Sequence, residues 1–195
     1  MNFPDIHPDA ADWGLESNTA EFRSDLNSTV QHGQLAGHRW RGVLTFTNRG
    51  GSDARRLKAF LNNLLGPSTR FNLQPPDNEK VGTMAGLGTV AGAGQTGTSL
   101  NTTGWNNNQS LLFDYGDYFE VNGELKQITQ PISSDGTGNA TLVFTPPLLT
   151  SPANVAPIEV DDPRVSVYLE NDNQARAQVS APYIYALSIS VVEDI

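Results

Sequence analysis

The chain has 195 residues, no cysteine, and a formal charge of −9 from 21 acidic and 12 basic residues. The absence of cysteine excludes disulfide bonds and thiolate metal sites. The acidic balance disfavours nucleic-acid binding, which depends on lysine and arginine neutralising phosphates. No apolar run approaches the ~20 residues that span a bilayer, and the first residues lack the features of a signal peptide. The sequence therefore favours cytosolic synthesis, without a membrane or a specific nucleic acid as partner.

The first part of the chain shows the alternation that is typical of β-strands. Weak strand patterns span residues 15–26 and 30–35. A stronger pattern covers residues 39–47, where Trp40, Leu44 and Phe46 fall on one side and polar residues on the other. Such alternation predicts a half-buried antiparallel strand, with Trp40 in the core.

A helical spacing follows this strand. The apolar residues that recur at this spacing are Ala54, Leu57, Leu61, Leu64 and Leu65. Ser52 is a suitable N-cap, and Asp53 places a negative charge at the positive end of the helix dipole. The Gly66-Pro67 pair is a typical helix end. The pattern predicts one helix over residues 53–65, packed on the sheet that contains the Trp40 strand.

The middle of the chain is rich in glycine and turn residues, and it begins at the Pro75-Pro76-Asp77-Asn78 turn. Short strand patterns cover residues 118–121, 124–128, 140–144 and 164–169. Asn122-Gly123, between the first two, is a strong two-residue hairpin signal. Strands at this spacing predict a small β-barrel or sandwich. The prediction is a first domain of residues 1–77 plus 172–195, interrupted by a β-domain of residues 78–171. A C-terminal strand from Tyr183 to Val192 returns to the first sheet.

The sequence nominates no catalytic, cofactor or metal site. Gly92 to Gly97 fits G-x-G-x-x-G, and dinucleotide binding needs a hydrophobic strand before this motif and a helix after it. Here the preceding residues are themselves Gly-rich, and the following residues are a poor helix. Neither a zinc-binding histidine pair nor a Gly-x-Ser-x-Gly elbow is present. Asp5, His7, Asp9 and Asp12 are interpreted as a solvated terminal arm rather than a cation site. A hydrolase with a site assembled only in three dimensions remains an alternative.

Aromatic residues of the β-domain suggest a second alternative, a carbohydrate-binding module that contacts a host surface. Exposed aromatic rings on a β-domain can stack against sugars. Trp105, Tyr115 and Tyr118 are the candidate contacts for such a ligand.

Several segments together resemble one protein family, although no single string is diagnostic. They are Arg39-Trp40-Arg41-Gly42, the helix from Asp53 to Leu61, Arg70-Phe71-Asn72-Leu73, residues 91–100, Gly116 to Val121, Gly138 to Leu142 with Pro146-Pro147-Leu148, and Tyr185 to Ser190. In this order, over nearly the whole chain, they resemble the distal tail proteins of long-tailed, non-contractile bacteriophages. The resemblance is to the branch with an inserted barrel like those that bind oligosaccharides or oligonucleotides.

The resemblance implies a structural virion protein, not an enzyme. It implies a mainly β fold in which a discontinuous sheet-plus-helix domain, or β-sandwich, forms a ring and the inserted barrel projects outward. Six copies would close the ring around the tail lumen, between the tail tube protein and the hub and fibre proteins of the tip. The barrel shape by itself does not imply a ligand. Negative charge that faces the lumen would keep passing DNA from binding.

Overall fold

A computed structural model describes residues 1–174, 176–181 and 184–195. The strands are Ala10–Glu16 (β1), Thr19–Arg23 (β2), Val30–Gln34 (β3), Arg39–Arg49 (β4), Phe71–Leu73 (β5), Gly86–Val90 (β6), Gly97–Trp105 (β7), Tyr118–Val121 (β8), Glu124–Ile128 (β9), Ala140–Leu148 (β10), Ile158–Glu159 (β11), Val165–Leu169 (β12), Gln178–Ser180 (β13) and Ile184–Glu193 (β14). An α-helix, Gly51–Leu64 (α1), and a short 3-10 helix, Gly66–Ser68, lie between β4 and β5. The predicted start of the last strand, Tyr183, lies outside the described residues.

The chain forms two compact units. The helix unit comprises Pro4–Phe71 and Val167–Ile195, and the barrel unit comprises Met1–Phe3 and Asn72–Ser166. The helix unit therefore consists of two segments that are far apart in the sequence.

The sheet of the helix unit is built around β4 and β14. Its strands follow the order β1-β4-β14-β12, and β13 pairs with the other end of β14. Leu44 lies opposite Ile189, and Phe46 lies opposite Leu187, so that one face of the sheet is apolar. All four side chains are buried, as is Trp40, which confirms the predicted strand and its inward face.

Helix α1 covers apolar surface of this unit with the predicted residues. Ala54, Leu57, Leu61 and Leu64 are all buried. Two details of the prediction are wrong. Ser52 lies inside the helix and the N-cap position is Gly50, which has no side chain to cap with. Leu65 is 78% exposed, because it ends the helix in a left-handed conformation (φ 53°) that turns it away from the apolar face.

The barrel unit contains a six-stranded sheet in the order β11-β8-β9-β10-β7-β6. A bridge between Thr89 and Pro157, next to β11, brings the two ends together and nearly closes the sheet. The predicted Asn122-Gly123 hairpin is confirmed, with φ values of 54° and 79°. The barrel core includes Leu100, Trp105, Phe113, Phe119, Leu142 and Phe144. The expectation of a mainly β fold with one α-helix and a small barrel is thus confirmed.

The strand of residues 165–169 differs from the prediction, which placed it in the barrel domain. Val167 to Leu169 pair with Glu193 to Val191 of β14, and the division between the units falls at residues 71/72 and 166/167 instead of 77/78 and 171/172. The alternating Val165, Val167 and Leu169 are buried. The turn residues that suggested the predicted boundaries lie close to the observed divisions but not at them. Turn composition indicates local geometry and does not indicate which strand the next segment pairs with.

The N-terminal residues Asp5, His7, Asp9 and Asp12 are all exposed, as predicted for a solvated arm, but two of them are held by the sheet. Asp12 lies within β1, which pairs with β4. The Asp9 carboxylate accepts hydrogen bonds from the Thr47 amide at 2.6 Å and from Arg49 at 2.8 Å. These contacts, with the Thr47 amide first, lower the pKa of Asp9. Asp9 therefore holds the start of β1 beside β4.

Candidate subunit interface

The hairpin formed by β2 and β3 is a largely exposed part of the helix unit. Sequence analysis predicted one strand over residues 15–26, but the structure breaks it at Ser17-Asn18, where the side chain of Asn18 donates to the Ala36 carbonyl at 2.7 Å. Among the described residues, β2 and β3 pair only with each other. From residue 19 to residue 35, all described, no side chain is buried.

This hairpin nevertheless carries large apolar side chains. The exposed fraction is 64% for Phe22, 99% for Leu26, 44% for Val30 and 47% for Leu35. Phe22 lies on the same face as Gly33 and is covered by no other element of the described residues, and Leu26 lies at the tip. An isolated two-stranded hairpin is marginally stable in water, so cover from another chain would stabilise it. The hairpin is therefore a candidate contact with another protein chain.

The hairpin has a defined shape even though it is uncovered. At its tip, the Asn27 side chain accepts hydrogen bonds from the Thr29 amide at 3.1 Å and from the Thr29 hydroxyl at 2.7 Å. At its base, Gln34 contacts the buried His38 ring at 3.0 Å. A hairpin ordered at both ends loses less conformational entropy when it binds, which favours association.

The outer face of α1 is the second exposed feature of this unit. Arg55, Arg56 and Lys58 are exposed, as their spacing predicted. Among the described residues, neither arginine has an acidic partner, whereas Lys58 lies 6.0 Å from the centroid of the Tyr185 ring. Leu65 adds an exposed apolar side chain at the end of the helix.

Charge is distributed unevenly between the two units. The barrel unit has ten acidic and three basic residues, a formal charge of −7, and the helix unit has eleven and nine, a formal charge of −2. The basic helix face is thus a local exception in an acidic chain. Such a patch favours partners with negative surface charge.

The three aromatic residues predicted as carbohydrate contacts are not equally accessible. Trp105 is 3% exposed and Tyr118 is 2% exposed, whereas Tyr115 is 66% exposed. Trp105 is a core residue, because its indole nitrogen donates to the buried Thr102 hydroxyl at 2.7 Å and its ring packs edge-on against Phe113. Tyr118 donates to Asp77 at 3.2 Å. Two of the three residues therefore present no ring face to a ligand, which corrects the prediction for them.

A polar cleft of about 670 Å³ lies in the barrel unit. Its carboxylates are Glu120, Glu159 and Asp162, with Arg164 beside them. Glu159 accepts hydrogen bonds from two nearby backbone amides, and Asp162 binds Arg164 at 2.7 Å. Partial burial raises the pKa of Glu120, and the charges of Glu159 and Asp162 add to this effect. In the part of the chain that the structure describes, no three His, Asp or Glu side chains are grouped to hold a metal ion.

Replacing Glu120 by glutamine is expected to stabilise the barrel unit at pH 7. A raised pKa means that the folded state disfavours the ionised form, so wild-type stability is lost as pH rises above the unfolded pKa of about 4.3. Glutamine removes that charge and can still accept from the Arg164 amide, which now donates at 2.9 Å. Urea denaturation at pH 3.5 and pH 7 should show a variant advantage only at pH 7. Glu79→Gln, at an exposed site of the same unit, is the matched control. Equal stabilities at pH 7 would contradict this interpretation.

The Asp135 loop, another polar feature of the barrel unit, is a self-contained turn. The Asp135 carboxylate accepts hydrogen bonds from the amide and hydroxyl of Thr137 and from the amide and side chain of Asn139, at 2.8 to 3.1 Å. These bonds, the Asn139 amide first, hold the pKa of Asp135 well below its usual range. The Asp135 carboxylate is thus hydrogen-bonded within its own loop, and these bonds account for the shape of the turn.

Comparison with protein-family models and with curated protein sequences returns no match. Within the described residues, none of the helices has the length and apolar character required to cross a bilayer.

Proposed function

We propose that this chain is a structural subunit of a bacteriophage tail, a distal tail protein whose copies close a ring between tail tube and tail tip. The structural observation that supports the proposal is the uncovered β2–β3 hairpin, which exposes Phe22 and Leu26 and pairs with no other strand of the described residues. The sequence resemblance supplies the family and the number of six copies. The proposed partners are further copies of the chain, the tail tube protein, and the hub and fibre proteins.

The two-segment helix unit supports this assignment. Identical subunits close a ring when one heterologous contact repeats through a fixed rotation. Such a contact needs two different surfaces on each subunit, and the helix unit offers an apolar hairpin and a basic helix face. The barrel unit, with its formal charge of −7, would be the projecting part.

Removing the apolar side chains of the hairpin is expected to dissolve the ring. Burial of Phe22 and Leu26 would contribute roughly 1.5–3 kcal/mol each, so Phe22→Ser with Leu26→Ser should weaken each contact by about 100-fold or more. Size exclusion with light scattering should give a mass of six times the 21.1 kDa chain for the wild type at high concentration. The variant should give the mass of a single chain. Leu87→Ser, at an 87% exposed leucine of the barrel unit, should keep the ring.

The decisive test of the tail assignment uses virions. Phage that lack this protein should produce tails that end as bare tubes. Phage in which residues 72–166 are replaced by a short Gly/Ser linker should still join tube to tip, because the ring contact belongs to the helix unit. Intact tails formed without the protein would refute the proposed function.

The carbohydrate-binding alternative is supported by fewer structural observations. Of its three aromatic residues only Tyr115 is exposed, and a single ring gives one stacking platform. A glycan array probed with the full chain and with Tyr115→Ala distinguishes the two functions, since specific binding that the variant loses would favour the module.

A further inference from the structure

We propose that the β2–β3 hairpin of one copy docks on the outer face of α1 of the next copy, with Leu26 against Leu65 at the helix end and Asp25 directed along the helix toward the positive charge of Arg55 and Arg56. This inference rests on the proposed ring and specifies its subunit contact. The two surfaces are different, so each copy would be a donor on one side and an acceptor on the other, as ring closure requires.

Leu65 is the first observation that identifies the acceptor. It occupies a left-handed position (φ 53°) at the helix end, where glycine or asparagine is usual because a Cβ is crowded there. Its side chain is 78% exposed, so the unfavourable conformation is not offset by burial within the chain. A bulky apolar residue kept in such a place fits a contact made by its side chain with another molecule.

Charge supplies the second, independent observation. Arg41, Arg49 and Arg70 each bind an acidic residue of the described chain. Arg55 and Arg56 do not, within the same residues. Arg23 and Arg39 also lack such a partner there, but Arg55 and Arg56 are the two that lie side by side on the exposed face of α1. On the hairpin, Asp25 is exposed at the tip beside Leu26, and it also has no ionic partner among the described residues. The hairpin tip thus combines an apolar and an acidic residue, and the proposed acceptor helix combines two basic residues with an apolar residue at its end.

The outer face of the sheet is a weaker acceptor. Arg41 lies there between Glu16 and Glu170 and contacts both, so the main cation of that face is already neutralised. Thr45 and Ser188, which contact each other at 3.3 Å, make the neighbouring surface polar. An apolar hairpin gains little there, since the polar groups it would cover lose water without new partners.

Disulfide trapping tests the contact directly, because the chain has no cysteine of its own. Full-length Leu26→Cys and full-length Leu65→Cys, distinguished by size tags, are mixed and oxidised mildly. The expected product is a mixed dimer that reducing agent dissolves. The double variant Leu26→Cys/Leu65→Cys should give a ladder that ends in a closed oligomer. Leu26→Cys mixed with Leu87→Cys, which is equally accessible, is the control and should give little product.

Charge reversal tests the electrostatic part. Arg55→Glu with Arg56→Glu should weaken self-association about tenfold or more, and adding Asp25→Arg should restore most of it. All three sites are exposed, and circular dichroism should show an unchanged fold. Loss without restoration would assign the arginines to another partner and overturn the charge pairing.

The outcomes separate this inference from the proposed function. If the wild type is hexameric but Leu26→Cys and Leu65→Cys give no mixed dimer, the ring stands and α1 is not its acceptor. If the chain is monomeric at all concentrations and tails assemble without it, both proposals fail.

Discussion

Lys126→Met should lower the free energy of unfolding of the barrel unit by about 3–5 kcal/mol, the usual effect of breaking a buried ion pair from one side. The Lys126 side chain is 1% exposed. Its ammonium group lies 2.8 Å from the Glu124 carboxylate and donates to the Pro147 carbonyl at 2.8 Å. Methionine fills the same space but leaves Glu124 charged, buried and without its cation.

The environment of Glu124 explains why the loss should be large. Burial raises the pKa of this carboxyl, but hydrogen bonds from Lys126, the Leu149 amide and Thr150 outweigh it, and the net pKa is lowered. Glu124 is therefore ionised at pH 7 in the wild type, where Lys126 is one of the groups that keep its pKa low. Because the same carboxylate holds Leu149 and Thr150, the segment after β10 should loosen as well.

A chemical denaturation series measures this effect. Lys80→Met is the matched control: Lys80 pairs with Asp161 at 2.8 Å, but Asp161 is 92% exposed, and such pairs contribute about 0–1 kcal/mol. The double variant Lys126→Met/Glu124→Gln should recover part of the stability, since it removes the unpaired charge. A loss below about 1 kcal/mol for Lys126→Met alone would show that the pair is not structural.

Leu61→Ala should lower the free energy of unfolding of the helix unit by about 2–5 kcal/mol. Leu61 is 1% exposed and lies between Leu57 and Leu64 on the buried face of α1. Alanine has the higher helix propensity, worth less than about 1 kcal/mol, so the cavity effect dominates.

Leu65→Ala is a control four residues away. With its side chain 78% exposed, Leu65 should tolerate alanine with a change within about 0.5 kcal/mol. Thermal or urea unfolding of both variants gives the comparison. A loss below about 0.5 kcal/mol for Leu61→Ala would contradict its assigned place in the core.

Local patterns in the sequence determined much of the fold. The spacing of Leu57, Leu61 and Leu64 predicted the helix, the alternation around Trp40 predicted the central strand, and Asn122-Gly123 predicted the barrel hairpin. Each pattern reflects interactions within a few residues, or the period with which one face is buried. Such information is present in any short stretch of the chain.

The tertiary structure decided what depends on partners distant in the sequence. Residues 167–169 pair with β14, a strand near the C-terminus whose free edge exists only once the sheet has formed. Trp105 is buried in the barrel core by residues from strands that are distant in the sequence. Lys126 is buried in the barrel unit, where its ammonium group binds Glu124 and donates to the carbonyl of Pro147, a residue distant in the sequence. The candidate interface could not be predicted from the sequence either. Phe22 and Leu26 look like core residues in the sequence, and only the folded hairpin, which has no covering layer among the described residues, leaves them exposed.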